Sequence, residues 1–261
     1  MNILCIGDII GRSGRRVLAQ HLEEIIAKHN IHFTIVNVEN SAGGNGLTRA
    51  VYEELAGLNI DAFTSGNHIY DKRDIFKQFE ELNLLLRPLN FPKGQPGTGI
   101  RYFERNGLSI AVVNIIGRVF MGLSDCPFQK MQQVLPIIKE KADIILVDFH
   151  AETTSEKQAM GWMLDGNVSL LFGTHTHVPT ADDRVLPSGT AYISDIGMTG
   201  PRDSVIGVDR HIVIKKFLDQ LPVRFELPRV SSAVLNGICV KVDTESGKAL
   251  SISRIYEVYD E

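Results

Sequence analysis

The first 65 residues alternate apolar runs of strand length with amphipathic segments, and this order restricts the fold more than any other feature of the sequence. The apolar runs lie at residues 2–9, 33–38 and 62–65. Between the first two, apolar side chains recur at helical spacing. Thr48 can cap a second helix before the third run. The β-α-β-α-β order predicts a parallel sheet covered by helices on both faces.

The rest of the chain adds an antiparallel element and then resumes the α/β pattern. Residues 100–105 and 108–115 flank Asn106-Gly107, a strong signal for a two-residue hairpin turn. Thr153 and Glu156 have the spacing of a capping box and predict the start of a helix. The other predicted elements are a helix at 128–140, strands at 144–149, 168–172 and 191–196, and at least three strand-like runs between 223 and 258, with a turn at 245–247.

The composition agrees with one layered α/β domain. The chain has 261 residues, 44% of them hydrophobic, enough for one substantial core, so residues 1–261 are predicted to form a single domain. Two domains are possible but not needed. The fold class expected is α/β, sandwich-like, with mixed β-sheets flanked by helices.

The net charge and the lack of targeting signals restrict the kinds of partner that the protein can bind. Lys and Arg number 27 against 31 Asp and Glu, so the basic footprint of a duplex nucleic acid binder is absent. A small anionic substrate would need local cations. The N-terminus has no basic leader and the chain no apolar run near 18 residues, which predicts a cytoplasmic protein without a membrane partner. The three cysteines, Cys5, Cys126 and Cys239, are expected to be structural.

Polar side chains follow five of the predicted strands. In parallel α/β sheets, ligands collect beyond the carboxyl ends of the strands. Each residue alone is better explained by helix capping or as a satisfied polar histidine than as a ligand. Their coincidence at five strand ends favours one functional site. The residues are Asp8, Glu39, Asn40, Asn67, His68, His150, His175 and His177.

The donor types in this set indicate a catalytic metal site. His175 and His177 are two residues apart, so in an extended segment both imidazoles point to the same side. Imidazole with carboxylate and amide oxygen suits Zn, Fe or Mn, and the absence of cysteine argues against a structural thiolate site. The candidates exceed what one ion needs, and a carboxylate such as Glu39 can bridge two ions. Two metal ions are therefore expected.

In this order the residues resemble the pattern of calcineurin-like metallophosphoesterases. The motifs are Gly7-Asp8, Glu39-Asn40, Gly66-Asn67-His68, His150 and Gly173-x-His175-x-His177. Two positions depart from that pattern. Ile10 stands where the usual Asp-x-His element has its histidine, and Glu39 replaces the usual bridging Asp.

Those departures are similar to a narrower bacterial branch, the YmdB-like 2′,3′-cyclic-nucleotide phosphodiesterases. The similarity extends over essentially the whole chain, in the segments IGDIIG (6–11), VENSA (38–42), FHAETTSEK (149–157), GTHTHV (173–178) and DIGMTGP (195–201). It implies a di-iron centre, with Mn or Zn as other candidates. One ion would lie among Asp8, Glu39, Asn40 and His177, the other among Glu39, Asn67, His150 and His175, with His68 as the proton donor.

With two metal ions the expected reaction is attack of a metal-bridging hydroxide on a small phosphoester or nucleotide. A homo-oligomer is possible but not required. Asp71 is expected to orient His68. Substrate-binding residues are not assigned; the loop 43–46 is a candidate, with Arg118 and the loop 197–203 weaker ones, and Trp162 is expected in the core. One alternative is a regulatory protein that binds a nucleotide or RNA end with little turnover. A metal-dependent amidohydrolase fits the motifs poorly.

Overall fold

The computed structural model describes residues 1–228 and 232–260, which form two β-sheets packed face to face with helices on both outer sides. This architecture confirms the expected layered α/β class. Within the described residues the first sheet has seven strands. They are β1 Asn2–Ile6, β2 Asp8–Ile9, β3 Phe33–Asn37, β4 Ala62–Thr64, β11 Met198–Pro201, β12 Ser232–Val242 and β13 Ala249–Asp260.

The first sheet is mixed. β1, β3 and β4 are parallel neighbours, as the β-α-β-α-β pattern predicts. The C-terminal strand β12 pairs antiparallel with β1, and β13 pairs antiparallel with β12. The two ends of the chain therefore share one sheet.

The second sheet has six strands in the described part of the chain, in the order β5-β6-β7-β8-β10-β9. β5 and β6 form the predicted hairpin, and both turn residues have positive φ, 54° at Asn106 and 77° at Gly107, as a two-residue primed turn requires. β6, β7, β8 and β10 are parallel. The strands are β5 Ile100–Arg105, β6 Leu108–Ile116, β7 Ile144–His150, β8 Leu170–Thr174, β9 Arg184–Val185 and β10 Ala191–Ile193.

Six α-helices are described, together with a short 3₁₀ segment at Phe79–Glu81. Thr48 caps the second helix as predicted, because its hydroxyl accepts from the Val51 N–H at 3.3 Å. None of the helices in residues 1–228 and 232–260 is long and apolar enough to cross a bilayer. The helices are α1 Gly11–His29, α2 Arg49–Ala56, α3 Arg73–Gln78, α4 Pro127–Lys139, α5 Thr154–Leu164 and α6 Arg210–Asp219.

The central strands are buried on both faces, which explains their unbroken apolar runs. Ile3 and Cys5 of β1 pack with Val112 of β6 in the core between the sheets. Leu4 and Ile6, which point the other way, pack beneath the outer helices. A third core lies between the second sheet and α4 and α5. The result is a helix–sheet–sheet–helix sandwich.

The predicted capping box at α5 is wrong, although the predicted helix start is right. Thr153 is the N-cap, but its side chain makes no capping hydrogen bond. The Glu156 carboxylate instead accepts from the backbone N–H groups of Arg118 and Val119, at 3.0 Å and 3.3 Å. Glu156 is buried beside the loop after β6, whose backbone N–H groups need hydrogen-bond acceptors. These tertiary hydrogen bonds replace the local capping bond.

Two further predictions fail for similar reasons. Between residues 223 and 258 the described residues form two strands, β12 and β13, and not the three or more predicted. Residues 223–228 form none, because Pro222 and Pro228 bracket the run and Leu227 packs against the glycines 11 and 44 rather than a sheet edge. Residues 229–231, also within the predicted strand region, lie outside the described residues. Trp162 is not core: it is 53% exposed and packs against the Arg184 guanidinium.

Candidate metal centre

The predicted site residues lie beyond the carboxyl ends of strands from both sheets. Asp8, Glu39 and His150 are fully buried. Glu39 and His150 follow strands of different sheets and are in contact, so the site spans the sandwich. The residues are Asp8 after β1, Glu39 and Asn40 after β3, Asn67 and His68 after β4, His150 at the end of β7, and His175 and His177 after β8.

Three side chains converge on the imidazole of His150. Its Nε2 lies 3.2 Å from Glu39 Oε1, 3.0 Å from Asn67 Oδ1 and 3.1 Å from His175 Nδ1. One ligand atom from each of Glu39, His150 and His175 lies within 4.8 Å of the others, close enough to share one cation.

A second group adjoins the first. His177 Nε2 lies 3.2 Å from the Asn40 amide nitrogen and 3.9 Å from Asp8 Oδ1. Asn40 also donates to Glu39 Oε1 at 3.2 Å, so Glu39 contacts both groups. The structure brings all seven predicted metal ligands into one cluster, with Glu39 between its two halves.

His68 lies at the edge of this cluster, where its imidazole is 40% exposed. Its Nδ1 is 2.8 Å from Asp71 Oδ2, the expected contact. Asp71 Oδ2 also accepts from the Asn45 amide at 3.0 Å. The backbone N–H of His68 donates to Glu39 Oε2 at 3.2 Å, and this bond ties the turn that carries His68 to the buried carboxylate.

The assumption that His175 and His177 sit in an extended segment is wrong. Their φ angles are 95° and 66°, in the left-handed region that side chains rarely adopt. Both imidazoles still reach the cluster, but through a turn after β8 and not through strand alternation. A turn strained in this way persists only where the surroundings fix it.

A buried ion pair fixes this turn. Lys157 and Asp195 are each 1% exposed, and their side chains are 2.7 Å apart. Lys157 Nζ donates to the Thr174 carbonyl at 2.9 Å, and Asp195 Oδ2 accepts from the Thr176 N–H at 3.1 Å. The ion pair therefore holds the turn immediately before His175 and between the two histidines.

In each of the three histidines His150, His175 and His177, the ring nitrogen that faces away from the cluster contacts another protein group. His150 Nδ1 donates to Thr174 Oγ1 at 2.9 Å, because the Thr174 hydroxyl proton is used in a 2.7 Å bond to Asp148. His177 Nδ1 donates to the Ile206 carbonyl at 2.8 Å. His175 Nε2 lies 3.1 Å from Glu152 Oε2. All three inner nitrogens thus face one place, the arrangement that outer partners give to metal-ligating histidines.

The charges of the cluster are poorly balanced by protein groups alone. Burial raises the pKa of Asp8, although His177 and His150 act in the opposite direction. Burial would also raise the pKa of Glu39, but the charge and hydrogen bond of His150, together with the charges of His68 and His175, outweigh burial and lower that pKa. Burial and the charge of His150 lower the pKa of His175 to about 3. Among the described residues Asp8 Oδ1 is buried without a hydrogen-bond partner. Buried carboxylates, an unpaired acceptor and inward-facing imidazoles fit bound metal ions.

Comparison with known proteins identifies the family. The family model described as YmdB-like protein matches residues 4–255. The chain belongs to the YmdB-like protein family. It is 46% identical over 255 residues to the 2′,3′-cyclic-nucleotide 2′-phosphodiesterase of Bacillus subtilis (strain 168), covering 98% of this chain and 96% of the relative. The resemblance found in the sequence is thereby confirmed.

Two solved structures are similar over the full chain. One, described as a novel phosphatase from Mycoplasma pneumoniae, has a TM-score of 0.93 and 35% identity, covering 100% of this chain and 94% of that chain. The other, described as a hypothetical protein from Thermus thermophilus, has a TM-score of 0.91 and 38% identity, covering 100% of both chains.

The outer partners of the histidines were not predicted from the sequence. Glu152 and Lys157 lie inside the segment 149–157, which carries part of the resemblance, but the motif alone does not indicate what these two side chains contact. Asp148 is an ionisable residue inside a buried apolar strand, and that position was a usable signal. Thr174 and the Ile206 carbonyl carried no such signal, because a hydroxyl and a backbone oxygen are common everywhere.

Glu39 and His150 meet in a space that is open because Gly66 has no side chain. A Cβ at Gly66 would lie 2.1 Å from His150 Nε2 and 2.4 Å from Glu39 Oε2. Gly66→Ala should therefore weaken metal binding by about tenfold or more while the protein stays folded. Metal titration and circular dichroism measure the two properties.

Gly57→Ala is the matched control for that experiment. Gly57 is exposed at the end of α2, and an added Cβ there meets only ordinary contacts at 3.5 Å and 3.7 Å. It should leave metal affinity unchanged. Unaltered metal affinity in folded Gly66→Ala would contradict the placement of the metal between Glu39 and His150.

Proposed function

We propose that the chain is a metal-dependent phosphodiesterase that hydrolyses 2′,3′-cyclic nucleotides or related phosphoesters with two metal ions, iron being the first candidate. The main support is one cluster of side chains at the base of a cavity of about 540 Å³, which contains three inward-facing histidines, Asp8 and Glu39. The activity for which the Bacillus subtilis relative is named supports the substrate class.

The cavity itself supports dependence on metal. Within the described part of the chain its lining includes Glu39, Glu152 and Glu226 but no Lys or Arg. An anionic phosphoester entering this cavity would meet carboxylates without a compensating Lys or Arg. Bound metal ions would supply the positive charge that attracts it.

The residues that would hold the ions fall into the two contacting groups. Asp8, Asn40 and His177 would hold one, Asn67, His150 and His175 the other, and Glu39 would contribute to both. When bound, such ions supply a nucleophile at neutral pH and neutralise charge on the phosphoryl oxygens. Thr174, Glu152 and the Ile206 carbonyl keep the imidazoles aimed at them.

His68 is proposed as the proton donor. It lines the cavity, and its Nδ1 is engaged by Asp71 Oδ2, which leaves Nε2 for a substrate. In a 2′,3′-cyclic diester the bond from phosphorus to one ribose oxygen breaks, and that oxygen needs a proton as it becomes a hydroxyl. Asp71 holds the ring in place through its contact with Nδ1.

A substrate panel with controlled metal content tests the proposed activity. Protein purified without added metal should contain iron, and chelation should lower hydrolysis of 2′,3′-cyclic AMP by about 100-fold or more, with recovery on adding Fe²⁺ or Mn²⁺. A nitroanilide amide should not be cleaved. Nucleotide binding without turnover under every metal condition would instead support the regulatory alternative.

The proton-donor role predicts that the effect of His68 depends on the leaving group. His68→Ala should lower kcat on 2′,3′-cyclic AMP by about 10²–10⁴-fold, because an alkoxide needs protonation. The loss on bis(nitrophenyl) phosphate should be much smaller, since nitrophenolate leaves unaided. Asp8→Ala, which alters the metal cluster, should be impaired equally on both substrates.

Rates are to be compared at matched metal content, with His211→Ala as the control. His211 is an exposed histidine at the start of α6 that does not line the cavity, and its loss should change neither rate. Equal losses for His68→Ala on the two substrates would show that His68 acts through binding or metal support and not as a proton donor.

A further inference from the structure

The residues that line the cavity above the metal cluster fall into two chemically different groups. One group is polar and consists of Glu39, Asn40, His68, His175 and His177. The proposed chemistry makes no use of the second group, the apolar lining. Its side chains are Ile10, Ile206, Val208, Phe225 and Leu227.

The apolar lining is joined directly to the metal cluster. The Ile206 carbonyl accepts the hydrogen bond that orients His177, at 2.8 Å, and Ile206 has a φ of 48°. Val205 and Val208 exchange backbone hydrogen bonds across the same turn, at 2.9 Å and 3.0 Å. One turn therefore aims His177 and presents the half-exposed Ile206 side chain beside it.

The segment carrying Phe225 and Leu227 is held in place by packing against glycines. A Cβ at Gly11 would lie 2.2 Å from Leu227 Cδ1, and one at Gly44 would lie 3.0 Å from Leu227 Cδ2. The Glu226 carbonyl accepts from the Asp209 N–H at 2.9 Å. Leu227 fits where two side chains are missing, so the segment forms a fixed wall of the cavity.

Phe225 is the aromatic residue of this wall and is 49% exposed. The Lys216 ammonium lies 4.5 Å from the centre of its ring, on one face. The ring is thus positioned by a cation–π contact and can receive a flat ligand on its remaining surface. Glu226 also lines the cavity, and its negative charge disfavours a second phosphate there.

We infer that this apolar lining, with Phe225 as its main contact, is the subsite for the base of a nucleotide whose phosphate lies at the metal cluster. The inference rests on the proposed function. A neutral, flat, aromatic group matches an apolar wall with one exposed ring, and stacking on such a ring tolerates any base. Phe225 would then act on affinity and not on the chemical step.

Steady-state kinetics of Phe225→Ala test the subsite. With 2′,3′-cyclic AMP, KM should rise by about 5- to 100-fold with little change in kcat, the range expected for loss of one stacked base. With glycerol 1,2-cyclic phosphate, which has the cyclic diester but no base, KM should not change. Phe225→Tyr should restore the wild-type KM for 2′,3′-cyclic AMP.

Phe217→Ala is the matched control, because Phe217 is 80% exposed on α6 and does not line the cavity. It should leave both KM values unchanged. An unchanged KM for 2′,3′-cyclic AMP in Phe225→Ala would overturn the subsite. Equal increases for both substrates would overturn it too, because they would show a general distortion of the cavity.

Binding of adenosine 3′-monophosphate separates this inference from the proposed function, because it needs no turnover. Wild type should bind it more tightly than inorganic phosphate, and Phe225→Ala should lose that preference. If wild type hydrolyses no cyclic phosphate but shows this difference, the proposed function fails and the base subsite stands. If wild type hydrolyses both cyclic substrates and binds the two ligands alike, the proposed function stands and the subsite fails.

Discussion

The buried carboxylate of Glu39 is the constraint on which the site depends. It lies at 0% exposure between strands of two different sheets, where a charged group is stable only if its partners neutralise the charge or donate hydrogen bonds to it. His150, Asn40 and the His68 N–H all contact it, so side chains and backbone from separate elements are ordered around one group. The same requirement for positive charge makes the cluster suited to metal ions.

A rigid set of outer contacts surrounds this cluster. Asp148 acts on His150 through Thr174, while Lys157 and Asp195 hold the strained turn that carries His175 and His177. Buried polar groups of this kind contribute little net stability, but a half-satisfied network would be costly. We therefore regard these buried charged groups as fixing the positions of the metal ligands. This role explains why several of them lie beneath one cavity.

The sequence predicted the layered fold and the clustering of the site residues because both depend on patterns local to strands and strand ends. It failed where tertiary contacts decide the local structure. Glu156 leaves the predicted capping box to bond another loop, and residues 225–227 line a cavity instead of joining a sheet. The left-handed backbone at His175 could not be foreseen, since a buried ion pair distant in sequence maintains it.

The central claim is that this cluster binds two metal ions. Anomalous diffraction at the iron edge, on crystals of protein purified without chelator, tests it most directly. We expect two peaks, each within about 2.0–2.3 Å of nitrogen or oxygen ligands, one beside His150 and His175 and the other beside Asp8 and His177. No peak in the cluster at this or any other transition-metal edge, in protein that hydrolyses phosphodiesters, would contradict it.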